Sequence, residues 1–172
     1  TDEHTAVVRI ENAHTNITYV SVDGNVISET INEIKEAESS ICPMTFDSIY
    51  EFAKAGDISG IIPSIKQQVE YNTAISNEGL SNDYGANIGR LLLLDDETPS
   101  LETKCKARAA AGSDARMSGC PLPVVICSGS GNQGLTVSMP IITTAEELGK
   151  TDEELYRALV FANLLTLYVK SG

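Results

Sequence analysis

The sequence predicts an α+β fold: a short antiparallel sheet at the N-terminal side packed on a mainly helical remainder. Three observations carry this. Residues 5–30 are β-branched and broken by an Asp-Gly pair, the signature of a tight hairpin between strands. From Thr45 onward apolar residues recur every three to four positions, the period of an amphipathic helix. The chain also holds 172 residues, enough for one domain with a real core.

The first strand covers 5–11 and the second 16–22, the latter alternating with Ile17, Tyr19 or Val20, and Val22 as inward positions. Asn12 to Thr15 make the turn between them. Asp23-Gly24-Asn25 turns into a return strand at 26–28, because Asp and Gly tolerate positive φ. Residues 31–43 are a polar connector ending at Cys42-Pro43.

Thr45 caps a helix with Asp47 in its first turn, Phe46, Ile49, Tyr50 and Ala53 along one face, and Gly56 at its end. A second helix runs from about Pro63 towards Ile75. Residues 77–85 read as loop, and 86–94 as a short apolar helix. Thr98-Pro99 supplies a cap and a first-turn proline for an alanine-rich helix from Leu101. Residues 131–148 form a helix with Pro140 inside it, where a kink or break is expected. Thr151 and Glu154 make a capping box for a last helix that is apolar nearly all round, a pattern that calls for burial.

With 12 basic against 24 acidic residues the formal net charge is -12, which repels nucleic acid and anionic membranes. No apolar run approaches the roughly 20 residues that span a bilayer. None of the four cysteines, Cys42, Cys105, Cys120 and Cys127, forms a C-x-x-C pair; they read as free thiols of a reducing, cytoplasmic compartment. The chain begins within a strand pattern and ends just after an apolar helix, so the reading is of an internal piece of a longer protein.

The stretch on which function centres runs from Ser113 to Gly134. An alanine-rich helix ends at Ser113-Asp114-Ala115-Arg116-Met117. A segment with two prolines links Cys120 to Cys127. Ser128-Gly129-Ser130-Gly131-Asn132-Gln133-Gly134 then opens directly into a helix. Glycine lets backbone N–H groups approach a ligand, and a helix N-terminus suits a carboxylate or phosphate. Asn132 and Gln133 offer donors and acceptors, which suits a zwitterion. A plain flexible turn fits the same composition. Arg116 either clamps a carboxylate in two-pronged fashion or pairs with Asp114 or a nearby carboxylate to fix the helix end. His14, in a turn with Asn16, is either an acid/base group or a side chain bonded to backbone. Ser113 and Asp114 complete the candidate substrate-binding set. No general base is identified.

Five stretches together resemble one family: Ala13-His14-Thr15-Asn16-Ile17, Asn77-Glu78-Gly79-Leu80, Gly85-Ala86-Asn87-Ile88-Gly89, Ala111-Gly112-Ser113-Asp114-Ala115-Arg116-Met117, and Ser128 to Gly134. They look like the central part of the L-cysteine desulfidase family, which is related to the alpha chain of iron–sulfur L-serine dehydratase. The resemblance implies a lyase that needs no pyridoxal phosphate. A [4Fe-4S] cluster would act as Lewis acid in α,β-elimination from a small amino acid, yielding pyruvate and ammonia. The family's cluster cysteines sit in an N-terminal Gly-Cys-Thr-Glu-Pro-like block and a C-terminal region, neither present here. Cys120 and Cys127 lie where relatives carry alanine or asparagine. By this resemblance the piece holds no cluster alone, is inactive in isolation, and has as partners a small amino acid and the remaining segments of its parent. Two other readings compete: a non-catalytic module that binds an amino acid or scaffolds its neighbours, and a helical interaction domain that forms homodimers through the last helix.

Overall fold

The computed structural model describes residues 4–11, 16–29, 44–94 and 97–171. It is an α+β fold. The chain divides into two compact units, Thr1–Cys42 and Pro43–Gly172, and each is taken by itself.

The first unit is a three-stranded antiparallel sheet in the order β1 (Ala6–Ile10), β2 (Ile17–Val22), β3 (Asn25–Glu29). Asp23 (φ 51°) and Gly24 (φ 79°) both take left-handed backbone in the β2–β3 turn, as the Asp-Gly pair predicts. The Asp23 carboxylate accepts from Thr5 N at 2.8 Å and meets His4 Nδ1 at 2.9 Å; the Thr5 bond first, then His4, holds its carboxyl below the usual range. The predicted inward set is corrected. Ile17 and Val22 are exposed, Tyr19 and Val20 half-buried, and Ser21 is the buried residue of β2. The register slips on both sides of β2, between Arg9 and Ile10 and between Val20 and Ser21, and a bulge breaks the two-residue alternation. The Asn12–Thr15 turn and the 31–43 connector lie outside the described residues.

The second unit is helical. Helix α1 (Phe46–Ala55) starts at Thr45, whose side chain accepts from Ser48 N while Ser48 Oγ accepts from Thr45 N. Ile49 and Ala53 are buried. Phe46 and Tyr50 are exposed at one edge but pack edge-on against Phe161, with centroids 5.9 and 6.2 Å away.

Helix α2 (Ile62–Ser81) runs past the predicted end at Ile75 and takes in residues 77–81, read above as loop. Tertiary packing overrides the weak local propensity. Gly79 is buried so closely on α4 (Leu101–Met117) that a Cβ would fall inside the Ala111 carbonyl. Helix α3 (Ile88–Leu94) crosses α4 in the same way through Gly89, against Ala107 and Ala111.

The cap of α4 is Ser100, not Thr98: its Oγ accepts from Thr103 N at 3.1 Å. Pro99 therefore precedes the cap. Helix α5 (Gly131–Glu147) is not broken at Pro140. The carbonyl that the proline leaves without a donor belongs to Thr136, an exposed position open to water. Helix α6 (Asp152–Ser171) opens with the predicted box: Thr151 N donates to Glu154 Oε2 at 2.9 Å and Glu154 N to Thr151 Oγ1 at 3.3 Å. Its burial is partial. Leu159 and Val160 are buried, whereas Leu167, Tyr168 and Val169 are exposed.

The core gathers Ile65 and Ile75 of α2, Ala115 of α4, Leu135, Met139 and Ile142 of α5, and Leu159 and Val160 of α6. A polar ladder runs beside it. Gln68, Asn72 and Ser76 lie at four-residue spacing on α2, all at most 2% exposed. Each reaches a different partner: Asn163 of α6, the segment before α5, and the Arg108 carbonyl of α4.

Candidate functional site

The end of α4, the segment that follows it and the start of α5 form one built corner. From Cys120 to Cys127 the chain runs as an irregular strap with a bend at Leu122, and Asn72 holds it. Val125 N donates to Asn72 Oδ1 at 2.8 Å, and Asn72 Nδ2 donates to the Val125 carbonyl at 3.2 Å and to Ser138 Oγ at 2.9 Å. Ser138 Oγ in turn donates to the Gly134 carbonyl at 2.7 Å. Buried backbone groups need partners; here one buried amide serves both groups of Val125. The strap crosses α5 at Gly134, where a Cβ would fall inside the Val125 carbonyl. Glycine is required there by proximity.

Beyond the strap the chain makes a two-residue turn. Ser128 (φ 48°) and Gly129 (φ 81°) are both left-handed. Cys127 and Ser130 close the turn through paired backbone hydrogen bonds of 3.1 Å. A non-glycine residue in this region is uncommon. Ser128 is held there by its carbonyl, which accepts from Lys170 Nζ at 2.9 Å. Ser130 is then the N-cap of α5, its Oγ accepting from Gln133 N at 3.3 Å.

Two cations from other helices reach this turn. Arg116, in the last turn of α4, lies against Gly131 so closely that a Cβ there would meet its guanidinium. Its Nη1 donates to Asn132 Oδ1 at 3.1 Å. Lys170, near the end of α6, donates to Gln133 Oε1 at 3.2 Å as well as to the Ser128 carbonyl. The start of α5 is thus a positively charged spot in an acidic chain. The first helical N–H groups, which lack intrahelical acceptors, add to it.

The structure brings together Arg116 and the whole of Ser128–Gly134. It separates Asp114 from them. Residues two apart on a helix point about 200° away from each other, so Asp114 faces α3. Its Oδ2 accepts from Ile88 N at 2.9 Å, and Gly85 makes room for it. The alternative in which Arg116 pairs with Asp114 gives way to the bond with Asn132. Ser113 is half-buried on α4. Asn16 belongs to the sheet unit, where its Nδ2 donates to the Glu11 carbonyl at 2.9 Å. His14 lies outside the described residues.

Asn72, Ser138 and Lys170 are absent from the candidates read in sequence. The polar i, i+4, i+8 series on α2 is the signal for Asn72. Nothing local marks Lys170, which is 37 residues from Gln133.

A second polar cluster sits at the start of α3. Tyr84 donates from its hydroxyl to Glu78 Oε1 at 3.0 Å. That bond, with Cys120 beside it, pushes the Tyr84 hydroxyl up to about 12.

The described cysteines do not make a cluster site. Cys105 Sγ is engaged 3.5 Å from the Pro140 carbonyl, Cys127 is buried under the turn, and Cys120 sits by Tyr84. Among the described residues no group of three or more His, Cys, Asp or Glu side chains is placed to hold a metal. A [4Fe-4S] cluster is held by several thiolates together, so this donor set does not fit one. Among the same residues no helix is long and apolar enough to cross a membrane.

The chain is 45% identical over 168 residues to a UPF0597 protein of Desulfitobacterium hafniense, and 43% identical over 170 residues to one of Lachnoclostridium phytofermentans. The alignments cover 96% and 98% of this chain but only 39% and 40% of those relatives, so the chain spans less than half of their length. A UPF0597 protein of Finegoldia magna is 42% identical over 170 residues. No solved structure matches the chain. The family description that matches, over residues 19–172, is that of the serine dehydratase alpha chain, and with the whole helical unit and its glycine turn inside that match, the chain belongs to the serine dehydratase alpha-chain family.

Proposed function

We propose that this chain is the substrate-cradling part of a cytoplasmic lyase of the cysteine desulfidase and serine dehydratase kind, which eliminates the β-substituent of a small amino acid without pyridoxal phosphate. The observation that supports this best is the built corner at the start of α5. A strained turn, two amide side chains and two cations converge on one helix N-terminus, within a chain of the serine dehydratase alpha-chain family. That arrangement suits a small anionic metabolite.

In this proposal the [4Fe-4S] cluster that supplies Lewis-acid chemistry is held by segments of the parent polypeptide other than the residues described. Those segments are the partner of this chain, and no step is derived through the cluster. What these residues do is bind and orient: Ser130, Asn132 and Gln133 hold the substrate, while Arg116, Asn72 and Lys170 keep the turn in shape. Substrate held this way reacts from one geometry.

The test uses the parent polypeptide at the length of its relatives, reconstituted anaerobically with iron and sulfide. Pyruvate and ammonia are expected from L-serine or L-cysteine, with sulfide released only from L-cysteine. Asn132→Ala should lower kcat/KM by about tenfold to a hundredfold, as loss of a buried polar contact to a charged group does. A reconstituted protein that turns over neither amino acid, or full activity in Asn132→Ala, overturns the reading.

A further inference from the structure

The hairpin of α5 and α6 carries an apolar groove at the end where the two helices join. The short connection after Glu147 makes them neighbours that run in opposite directions. On α5, Ile141, Ala145 and Leu148 follow at steps of four and three residues, so they share one face. On α6, Leu155 and Ala158 do the same. These residues line an open groove of about 400 Å³. Ala145 and Ala158 carry only a methyl, which leaves room between their larger neighbours. Ala158 also lines a second groove of about 340 Å³, between α6 and the Phe46 and Tyr50 rings of α1. The two grooves therefore meet across α6. Leu148 is 59% exposed, Phe46 52% and Tyr50 46%. A contiguous apolar surface facing water marks an interaction site.

Charge narrows the occupant. The charged residues of the α5–α6 groove, Lys150 and Glu154, bind each other at 3.0 Å, so this groove is poorly suited to recruit an ion or a zwitterion. A second copy of the chain is opposed by a formal net charge of -12. An apolar helix face meets neither obstacle, and a groove of this kind takes side chains spaced three to four residues apart on one. The relatives supply a source for it. They are matched over only 39% and 40% of their length, so more than half of each lies beyond the matched region. A segment of the same polypeptide reaches a groove at high effective concentration without any added affinity.

Resting on the longer parent polypeptide proposed above, we infer that the joined groove is the docking face for an amphipathic helix from the part of the parent outside the matched region. Its apolar side chains pack against Ile141, Leu148 and Leu155, and its backbone comes nearest at Ala158.

The test compares this 172-residue chain with the parent at the length of its relatives. Ala158→Cys is made in both, and maleimide labelling of the introduced thiol is followed by mass spectrometry of its peptide. The thiol should react freely in the 172-residue chain and at least about tenfold more slowly in the parent, as a covered site does. The protection should not change on dilution. Ala158→Glu, which keeps a good helix former, should leave the Tm of the 172-residue chain nearly unchanged. It should lower that of the parent, where the carboxylate is buried without a partner.

Equal labelling in the two proteins, or an equal response of Tm to Ala158→Glu, overturns the inference. Protection that is lost on dilution assigns the groove to a second copy instead. Protection already present in the 172-residue chain at every dilution assigns it to this chain's own residues. Either result also overturns the inference. Turnover is not the readout, so the two proposals fail separately. An inactive parent with a protected thiol sinks the lyase and keeps the docking face; an active parent with an open groove does the reverse.

Discussion

Two ends of the helical unit are held together in different ways. Around α2, α4 and the strap, backbones touch: Gly79 and Gly89 lie directly on α4, and Gly134 on the strap. Buried polar groups then stitch the contacts, through Asn72, Ser76 and Ser138. Around α1 and α6 side chains hold the chain apart. Phe161 meets Phe46 and Tyr50 edge-on, and an open groove of about 400 Å³ lies between α5 and α6, lined by Ile141, Leu148, Leu155 and Ala158 among others. Backbone contact and hydrogen bonds have one geometry each, while apolar side chains can repack. The end that carries the candidate site is thus the end with least freedom, which is what a preorganised pocket needs.

The sharpest way to break this comparison is to add one methyl at the rigid end. Gly79→Ala puts a Cβ into a backbone carbonyl that no rotamer change can move. It should cost about 3 kcal/mol, at the upper end for overpacking, and lower Tm by roughly 6–12 °C. Phe161→Ala removes a whole half-buried ring from the looser end, yet should cost only about 2 kcal/mol, less than the usual price of a fully buried ring. Urea melts of both variants decide it; a tolerated Gly79→Ala would erase the distinction.

Next in size is Asn72→Ala. It strands the N–H and carbonyl of Val125 and should cost about 2–3 kcal/mol. Hydrogen exchange at Val125 should rise more than at Leu159. A double cycle with Ser138→Ala should show coupling of about 1 kcal/mol, because the two side chains share a hydrogen bond.

Smaller still is Arg157→Met at the other end. Arg157 Nη1 donates to the Ala53 and Gly56 carbonyls at 3.1 and 3.2 Å, closing the C-terminus of α1. Its loss should cost about 1 kcal/mol and fray that last turn in circular dichroism.

The smallest effect is a pH dependence at the start of α6. The Thr151 N–H, then Lys150 and the Thr151 hydroxyl, lower the Glu154 carboxyl from 4.5 to about 2. A carboxyl depressed by folding stabilises above its unfolded value and loses that contribution as pH falls through the folded one. Stability of the native chain should therefore decline more steeply between pH 4.5 and 2 than that of Glu154→Gln, as read by urea melts at each pH.

Much of this architecture was legible residue by residue. The Asp23-Gly24 turn, the Thr45 cap, the Thr151–Glu154 box and the glycine turn ahead of α5 are local chemistry, and each forms where its residues stand. The misreadings share a cause. The sequence ends α2 early because Asn77 to Ser81 have weak helix propensity, and only Gly79 on Ala111 shows why the helix continues. Alternation points Ile17 and Val22 inward because it cannot register a bulge. Sequence proximity groups Asp114 with Arg116 because it hides a half-turn of helix.

By itself, then, the sequence determined where α1 and α6 start, that a glycine turn would open a helix, and which family's motifs it carries, because caps, turns and periodicity act within a few residues. Only the tertiary structure decided that α2 would carry the polar ladder inward, that Asn72 would hold the strap, and that Lys170 would return from the end of α6 to the turn. Those contacts join residues 32 to 95 positions apart, and no local rule fixes a partner at that distance: shape and the need to satisfy buried polar groups choose it.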